Sequence, residues 1–360
     1  MSRRSDGNRA QPREQGDYRP SAAGAGDAVE RRGPGGGQLG PLVRADGSRE
    51  QAMVPPAEFR SYYGRQILKT PAWEDKIAYY FFAGGLSGGS ALLAAGADLT
   101  GRPALRRGAR VGGLAALAAG TYYLIADLGR PERFHHMLRV AKPTSPMSVG
   151  TWVLSAYSPG IGLAAAAEVL PARWRLTRLL RRVTRPASLS SAALAPALAG
   201  YTAVLLSQTA VPAWNTAHPY LPFVFTGSAA ASSGGLAMAL VPPAEAGPAR
   251  TFAAVGAAAE LVASRVLEHR IGMVAEAYTT GRAHTLRRWS EYLTAGGLAG
   301  ILLARRSRVA AVGAGLALAA GSALQRFGVF EAGVASTRDP RYVVTPQRER
   351  LATARDAAER

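Results

Sequence analysis

Asp127-Leu-Gly-Arg-Pro-Glu-Arg-Phe-His-His-Met-Leu-Arg-Val-Ala-Lys-Pro-Thr-Ser-Pro-Met-Ser-Val-Gly-Thr-Trp152 is a polar, cationic stretch set between two long apolar runs. Asp127 closes the first run. Arg130-Pro131 breaks the helix, because proline lacks a backbone donor and restrains the residue before it. Arg133, His135, His136, Arg139 and Lys142 follow, and Pro143 and Pro146 stiffen the return into the second run. A basic membrane-surface loop with snorkelling side chains accounts for this mixture, and so does the rim of a functional site.

Working outward, about eight apolar runs have the length of roughly 20 residues that crosses a bilayer. They lie near residues 76–97, 109–127, 147–169, 188–211, 218–241, 250–275, 287–305 and 308–327. Glu260, Arg265 and Glu268 interrupt the sixth, and Arg305, Arg306 and Arg308 divide the last two. Buried helices of a soluble protein would alternate apolar and polar faces, and so many long runs without that alternation do not. The fold class expected is therefore all-α: a polytopic transmembrane bundle of about eight helices over residues 76–327. Gly84, Gly85, Gly88 and Gly89 form two overlapped Gly-x-x-x-Gly pairs in the first run, which lets a second helix come close.

The net charge of +19 is not a detached basic arm. Residues 1–75 carry 12 basic and 10 acidic side chains, against 31 and 14 in the remainder. A nucleic-acid partner is therefore not expected, whereas basic loops between apolar runs fit anionic lipid headgroups or an acidic partner at the membrane surface. Loops on the two sides carry comparable charge, so the positive-inside rule does not orient the chain. With no cysteine, this chain holds neither a disulfide nor an iron–sulfur cluster on its own thiolates. No charged-then-apolar segment opens the sequence, so no cleaved secretory peptide is expected. Residues 1–52 read as a disordered polar extension, 53–75 as an interfacial segment and 328–360 as a polar C-terminal tail.

Ionisable groups at membrane depth are expensive and draw attention to function. Asp127, with Arg130 and Arg133, could form a charge-assisted network or a loop-pinning salt bridge. Glu260, Arg265, Glu268 and His269 could form a proton-conducting or ion-paired face, or a helix turned toward a polar interior. Tyr201 lies inside an apolar run and its phenol needs a partner. Trp214, at a turn, reads as an interfacial anchor. The histidines do not face each other from two runs at one depth, which disfavours haem, and their scatter gives no metal cage.

These residues carry a resemblance. Ile77-Ala-Tyr-Tyr-Phe-Phe-Ala-Gly-Gly-Leu-Ser-Gly-Gly89 after Trp73, Asp127-Leu-Gly-Arg-Pro131, Lys142-Pro-Thr-Ser-Pro-Met-Ser148 with Gly150 and Trp152, Tyr201-Thr202, Pro212-Ala-Trp-Asn215 and Leu221-Pro222 occur in order. Together they resemble the NrfD-like membrane subunits of the polysulfide reductase family, most specifically in Asp-Leu-Gly-Arg-Pro and Ser-Pro-Met-Ser. The resemblance implies a haem-free, cluster-free anchor that reacts with a membrane quinone (menaquinone or ubiquinone). A ferredoxin-like iron–sulfur subunit would dock on it, with a molybdopterin catalytic subunit beyond. By position it implies a headgroup site at Lys76, Tyr80, Asp127, Arg130, His135 and Tyr201, with Asp127, Glu260 and Arg265 as candidates for proton relay. Glu74-Asp-Lys76 departs from the residues usual there.

The expected function is thus that of an integral, multi-pass subunit of a respiratory oxidoreductase in the cell membrane. It would exchange electrons and protons between an iron–sulfur partner and quinone, without holding the catalytic centre. An ion or solute transporter is the alternative, since basic loops, Gly-rich spans and a polar sixth helix serve it too; inverted repeats with paired broken helices would mark it, and none stands out in the sequence. A purely structural anchor would leave Tyr201 and Asp127 free to vary.

Overall fold

Eight long helices fall one for one on the eight apolar runs. The computed structural model describes residues 66–171 and 173–358, together with an antiparallel pairing of Leu42–Val43 with Arg49–Glu50. The readings of 1–52 and 53–75 therefore lie largely outside the described residues. The helices are α1 (Asp75–Leu99), α2 (Pro103–Ala126), α3 (Pro146–Val169), α4 (Arg175–Ser207), the short α5 (Pro212–Thr216), α6 (Leu221–Leu240), α7 (Gly247–Arg270), the short α8 (Glu276–Thr279), α9 (Gly281–Gly300), α10 (Arg308–Arg338) and α11 (Arg341–Ala358). Helix α10 continues past Phe327, beyond the apolar run, and buries Val329, Phe330 and Ala332, so residues 328–338 are part of the bundle rather than of a polar tail.

Local chemistry explains the boundaries. Pro103 and Pro146 open α2 and α3 at the first helical position, where a missing N–H costs nothing. The Ser145 side chain caps α3 by accepting from the Ser148 N–H. Gly101, with φ of 67°, makes the tight turn between α1 and α2 that a side-chain-bearing residue would strain. Among the described residues, α1, α2, α4 from Thr177, α6 and α10 are long and apolar enough to cross a membrane. Helices α7 and α9 carry charges in mid-length, including Glu260, Arg265, Arg287 and Glu291. The protein is an integral, multi-pass helical membrane protein.

Consecutive helices pack as four hairpins, α1–α2, α3–α4, α6–α7 and α9–α10, and α1, α4, α6 and α10 join them at the centre. Helix α1 is the hub because its small residues face two neighbours. A Cβ on Gly88 would stand 3.0 Å from the Ala195 carbonyl of α4, and one on Gly89 would stand 2.7 Å from the Ala229 carbonyl of α6. In lipid, close packing of this kind replaces the hydrophobic drive that holds helices together in water.

One end of the bundle is closed by aromatic packing. Trp214 is fully buried, donates from Nε1 to the Val329 carbonyl at 2.8 Å, and stacks on Trp73 at 5.9 Å between ring centres. The interfacial-anchor reading of Trp214 is therefore corrected: α5 turns the indole inward against α10. The opposite end is held by charge. Arg110, 2% exposed, donates to Glu168 of α3 at 2.8 Å and to Asp98 of α1 at 2.9 Å, and Arg106 reaches the same Glu168 at 2.8 Å.

Candidate functional site

The Asp127–Trp152 stretch folds as a lid segment tied to the start of α3. After Asp127, which ends α2, residues Pro131–Arg139 form a 3-10 helix. Ser148 Oγ accepts from the Lys142 N–H at 2.9 Å and donates to the Val140 carbonyl at 2.8 Å, and Trp152 Nε1 donates to that carbonyl at 3.1 Å. The Ser-Pro-Met-Ser element is thereby a clasp that returns the chain to the bundle.

Beneath this segment, α1, α2, α3 and α4 enclose a cavity of about 500 Å³. Its walls are mostly apolar, from Ile77, Leu124, Met137, Met147, Leu154 and Leu205. Tyr80, Asp127 and Tyr201 supply polar groups from three different helix positions, with Ser155 and Thr151 on the α3 side. A cavity of this size and balance, apolar with few polar groups, is what binding sites for small organic ligands look like.

Tyr80 is 2% exposed and its hydroxyl has no hydrogen-bond partner among the described residues. A buried hydroxyl is normally paired, and Tyr80, which lines the cavity, departs from that rule. The Tyr201 hydroxyl likewise makes no hydrogen bond among the described residues, and its ring lies against Gly150 where any side chain would collide. Asp127 accepts from the Glu74 N–H at 3.3 Å, tying the start of α1 to the end of α2. Partial burial pushes its carboxyl above the usual carboxylate range, against the opposing pull of that N–H.

The other residues singled out by resemblance sit differently. Lys76 pairs with Glu74 at 2.8 Å, and neither lines the cavity. Arg130 and His135 are exposed on the outside of the lid, with His135 edge-on to His136 at 4.5 Å between ring centres. Asp127 forms no ion pair with Arg130 or Arg133 among the described residues. The 3-10 helix carries those arginines outward, which removes the expected network.

A second cavity, of about 340 Å³ and polar, lies between α7, α9 and α10 and includes Glu260, Arg265, Glu268, Tyr278, Arg287 and Gln325. Glu260 is 2% exposed and its Oε2 has no hydrogen-bond partner among the described residues. It does not pair with Arg265. Arg265 bonds Glu291 on α9 at the exposed edge, and Glu268 takes Arg287 at 2.6 Å. The five-residue spacing between Glu260 and Arg265 turns the two side chains to different faces of the helix.

Sequence reasoning passed over Arg326. It is 1% exposed, its Nη2 donates to the Phe225 carbonyl at 2.7 Å, and its guanidinium lies 3.7 Å over the Phe225 ring. It also reaches to within 3.1 Å of where a Cβ on Gly85 would stand, so that glycine makes room for it. A charge inside the last apolar run was the available signal. Arg326 thus ties α10 to α6 and approaches α1 at Gly85.

Among the described residues there is no cluster of His, Asp or Glu that could hold a metal. A search among curated proteins gives no match. The family described as polysulphide reductase, NrfD, matches residues 68–336, from just ahead of α1 almost to the end of α10, and so takes in both cavities. Members of that family are membrane subunits of molybdoenzyme complexes; they interact with quinone and typically partner with iron–sulfur and molybdopterin subunits. The match spans most of the chain and agrees with its bundle of membrane helices: this protein belongs to the NrfD family.

Proposed function

We propose that the α1–α4 cavity receives the headgroup of a membrane quinone, menaquinone or ubiquinone, and that the chain serves an oxidoreductase complex of the cell membrane. The observation that carries this reading is a mostly apolar cavity with Tyr80, Asp127 and Tyr201 in its wall. The residues fit such a ligand: a flat ring suits the apolar walls, and phenols suit its carbonyl oxygens. When bound, a quinone supplies two-electron, two-proton chemistry. This chain has no cysteine, so the electrons would come from or go to a docked iron–sulfur subunit, with a molybdopterin subunit behind it.

The protein's own groups would act in fixed roles. Tyr80 and Tyr201 donate hydrogen bonds into the cavity and orient the headgroup. Asp127, at the cavity mouth with a carboxyl above its usual range, holds a proton at its carboxylate oxygen and exchanges it with solvent. The apolar lid residues Phe134 and Leu138 limit water. Lys76, Arg130 and His135 set the charge around the mouth instead of touching the ligand. Glu260, with its unpaired oxygen, is the proposed proton relay of the second cavity. Arg265 holds the edge of that cavity through Glu291, since an arginine does not give up its proton.

The test uses the assembled complex. Tyr201→Phe and Asp127→Asn should each lower quinone-coupled turnover about tenfold or more, while the partner subunits still co-purify. Unchanged turnover in both variants would reject the site.

A further inference from the structure

At the end of the bundle where α1, α6 and α9 finish and α2, α7 and α10 begin, four arginines converge from three places in the chain. Arg250 stands on the first turn of α7, Arg305 and Arg306 lie in the α9–α10 connection, and Arg102 lies in the α1–α2 turn. Arg250, Arg305 and Arg306 border an open trough of about 1010 Å³. Among the described residues none of the four forms an ion pair, although Arg250 donates to the Pro243 carbonyl at 2.8 Å. Arg102 Nε is buried without a partner, and both Arg102 and Arg305 bear on Arg250 with like charge.

Three carboxylates at this end of the bundle are bonded to other groups. Glu245 accepts from the Ala104 and Leu105 N–H groups at 2.8 and 3.3 Å, and Asp98 and Glu168 belong to the Arg106–Arg110 network. Positive charges gathered without a counter-charge repel one another and want an anion. The opening turn of α7 adds the positive end of a 24-residue helix. Beyond the arginines the trough changes character: Val255 is 64% exposed and Leu302 78% exposed, and Ala254 and Ile301 complete this apolar wall. Exposed apolar side chains directly below a cationic rim match a molecule with an anionic head and hydrocarbon tails.

We propose that this trough is a binding site for an anionic phospholipid, with its phosphate held by Arg250, Arg305 and Arg306 and its acyl chains along Val255 and Leu302. Phosphate is the shared chemistry of a lipid head and a free anion, and the apolar wall assigns the site to the lipid. The site lies at the opposite end of the bundle from the Asp127 lid, so it is separate from the quinone cavity and does not depend on that reading.

The purified complex in nanodiscs provides the test. Thermal unfolding of this chain is followed in phosphatidylcholine alone, with added phosphatidylglycerol or cardiolipin, and with inorganic phosphate instead. The anionic lipids should raise the midpoint and phosphate should not. Retained anionic lipid, counted by mass spectrometry, should fall in Arg250→Gln/Arg305→Gln/Arg306→Gln, with affinity weakened roughly fivefold per arginine and on the order of a hundredfold for all three. Arg305→Lys/Arg306→Lys keeps the charge and should retain most of the lipid, which guards against a triple variant that fails to fold. An equal shift with inorganic phosphate would overturn the lipid assignment, and undiminished lipid in the glutamine variant would overturn the site.

Discussion

The Tyr201 ring of α4 rests directly on Gly150 of α3: a Cβ on that glycine would stand 2.7 Å from Cδ2 of the ring and closer still to Cε2. The contact fixes where the phenol points, and it joins two parts of the sequence that the cavity needs together. Gly150→Ala should therefore push the ring aside. Overpacking of this kind costs about 1–3 kcal/mol, so the midpoint of thermal unfolding should fall, and turnover should fall as far as in Tyr201→Phe. A Gly150→Ala complex with full turnover would show that the placement of Tyr201 does not matter.

Tyr80→Phe separates binding from stability. Its hydroxyl has no partner among the described residues, so removing it takes away an unsatisfied buried group and should leave stability within about 0.5 kcal/mol or improve it. Loss of one hydrogen bond to the ligand should raise the apparent KM for quinol about tenfold. Steady-state titration of the complex, beside a melting curve of the same preparation, checks both halves.

Asp127 should make stability depend on pH. Its carboxyl lies above the ordinary value because of burial, with the Glu74 N–H, the Glu74 carboxylate and the Lys76 ammonium as the facing groups. A raised carboxylate favours the protonated folded state, so its contribution is fully present below about pH 4 and is lost as pH rises through the folded value. Asp127→Asn should abolish that loss. The midpoint of the variant should gain on that of the native chain as pH rises, and parallel curves would refute the assignment.

The buried ion network should be strongly one-sided. Asp98→Asn with Glu168→Gln leaves Arg110 buried without a counter-charge, and breaking a buried pair in this way costs about 3–5 kcal/mol. Replacement of the exposed Arg265, paired with Glu291 at the surface, should cost less than about 1 kcal/mol. Thermal unfolding of the two variants side by side measures the difference.

Glu260→Gln keeps the shape of the buried side chain and removes its exchangeable proton. Proton uptake coupled to turnover in proteoliposomes should fall about tenfold or more, whereas Arg265→Gln should have a much smaller effect. Equal effects would remove the distinction between the buried acid and the surface pair.

The architecture was legible because each apolar run is long and lipid leaves no alternative to a helix for unpaired backbone. Asp127 and Tyr201 drew notice as polar groups at the edge of or inside apolar runs, whereas Tyr80 was singled out only through the family resemblance; all three line the cavity. The inward turn of Trp214 was not, since a Trp beside a turn has the same local signature at an interface as in a core, and only the approach of α10 decides between them. The outward placement of Arg130 and His135 depends on the 3-10 helix after Pro131, whose direction is set by the Ser148 clasp some ten residues later. Arg326 was marked by its charge within an apolar run, but its contacts with Phe225 and Gly85 come from the packing of α10 on α6 and α1.

The central claim is that the α1–α4 cavity takes the quinone headgroup, and photolabelling tests it most directly. A photoreactive quinone analogue is bound to the intact complex, irradiated, and the labelled peptides are mapped by mass spectrometry. The account predicts label on the cavity-lining segments around Tyr80, Met147–Leu154 and Tyr201, competed away by excess quinone. Label confined to α7 and α9, or label around Tyr80 that excess quinone leaves untouched, would contradict it.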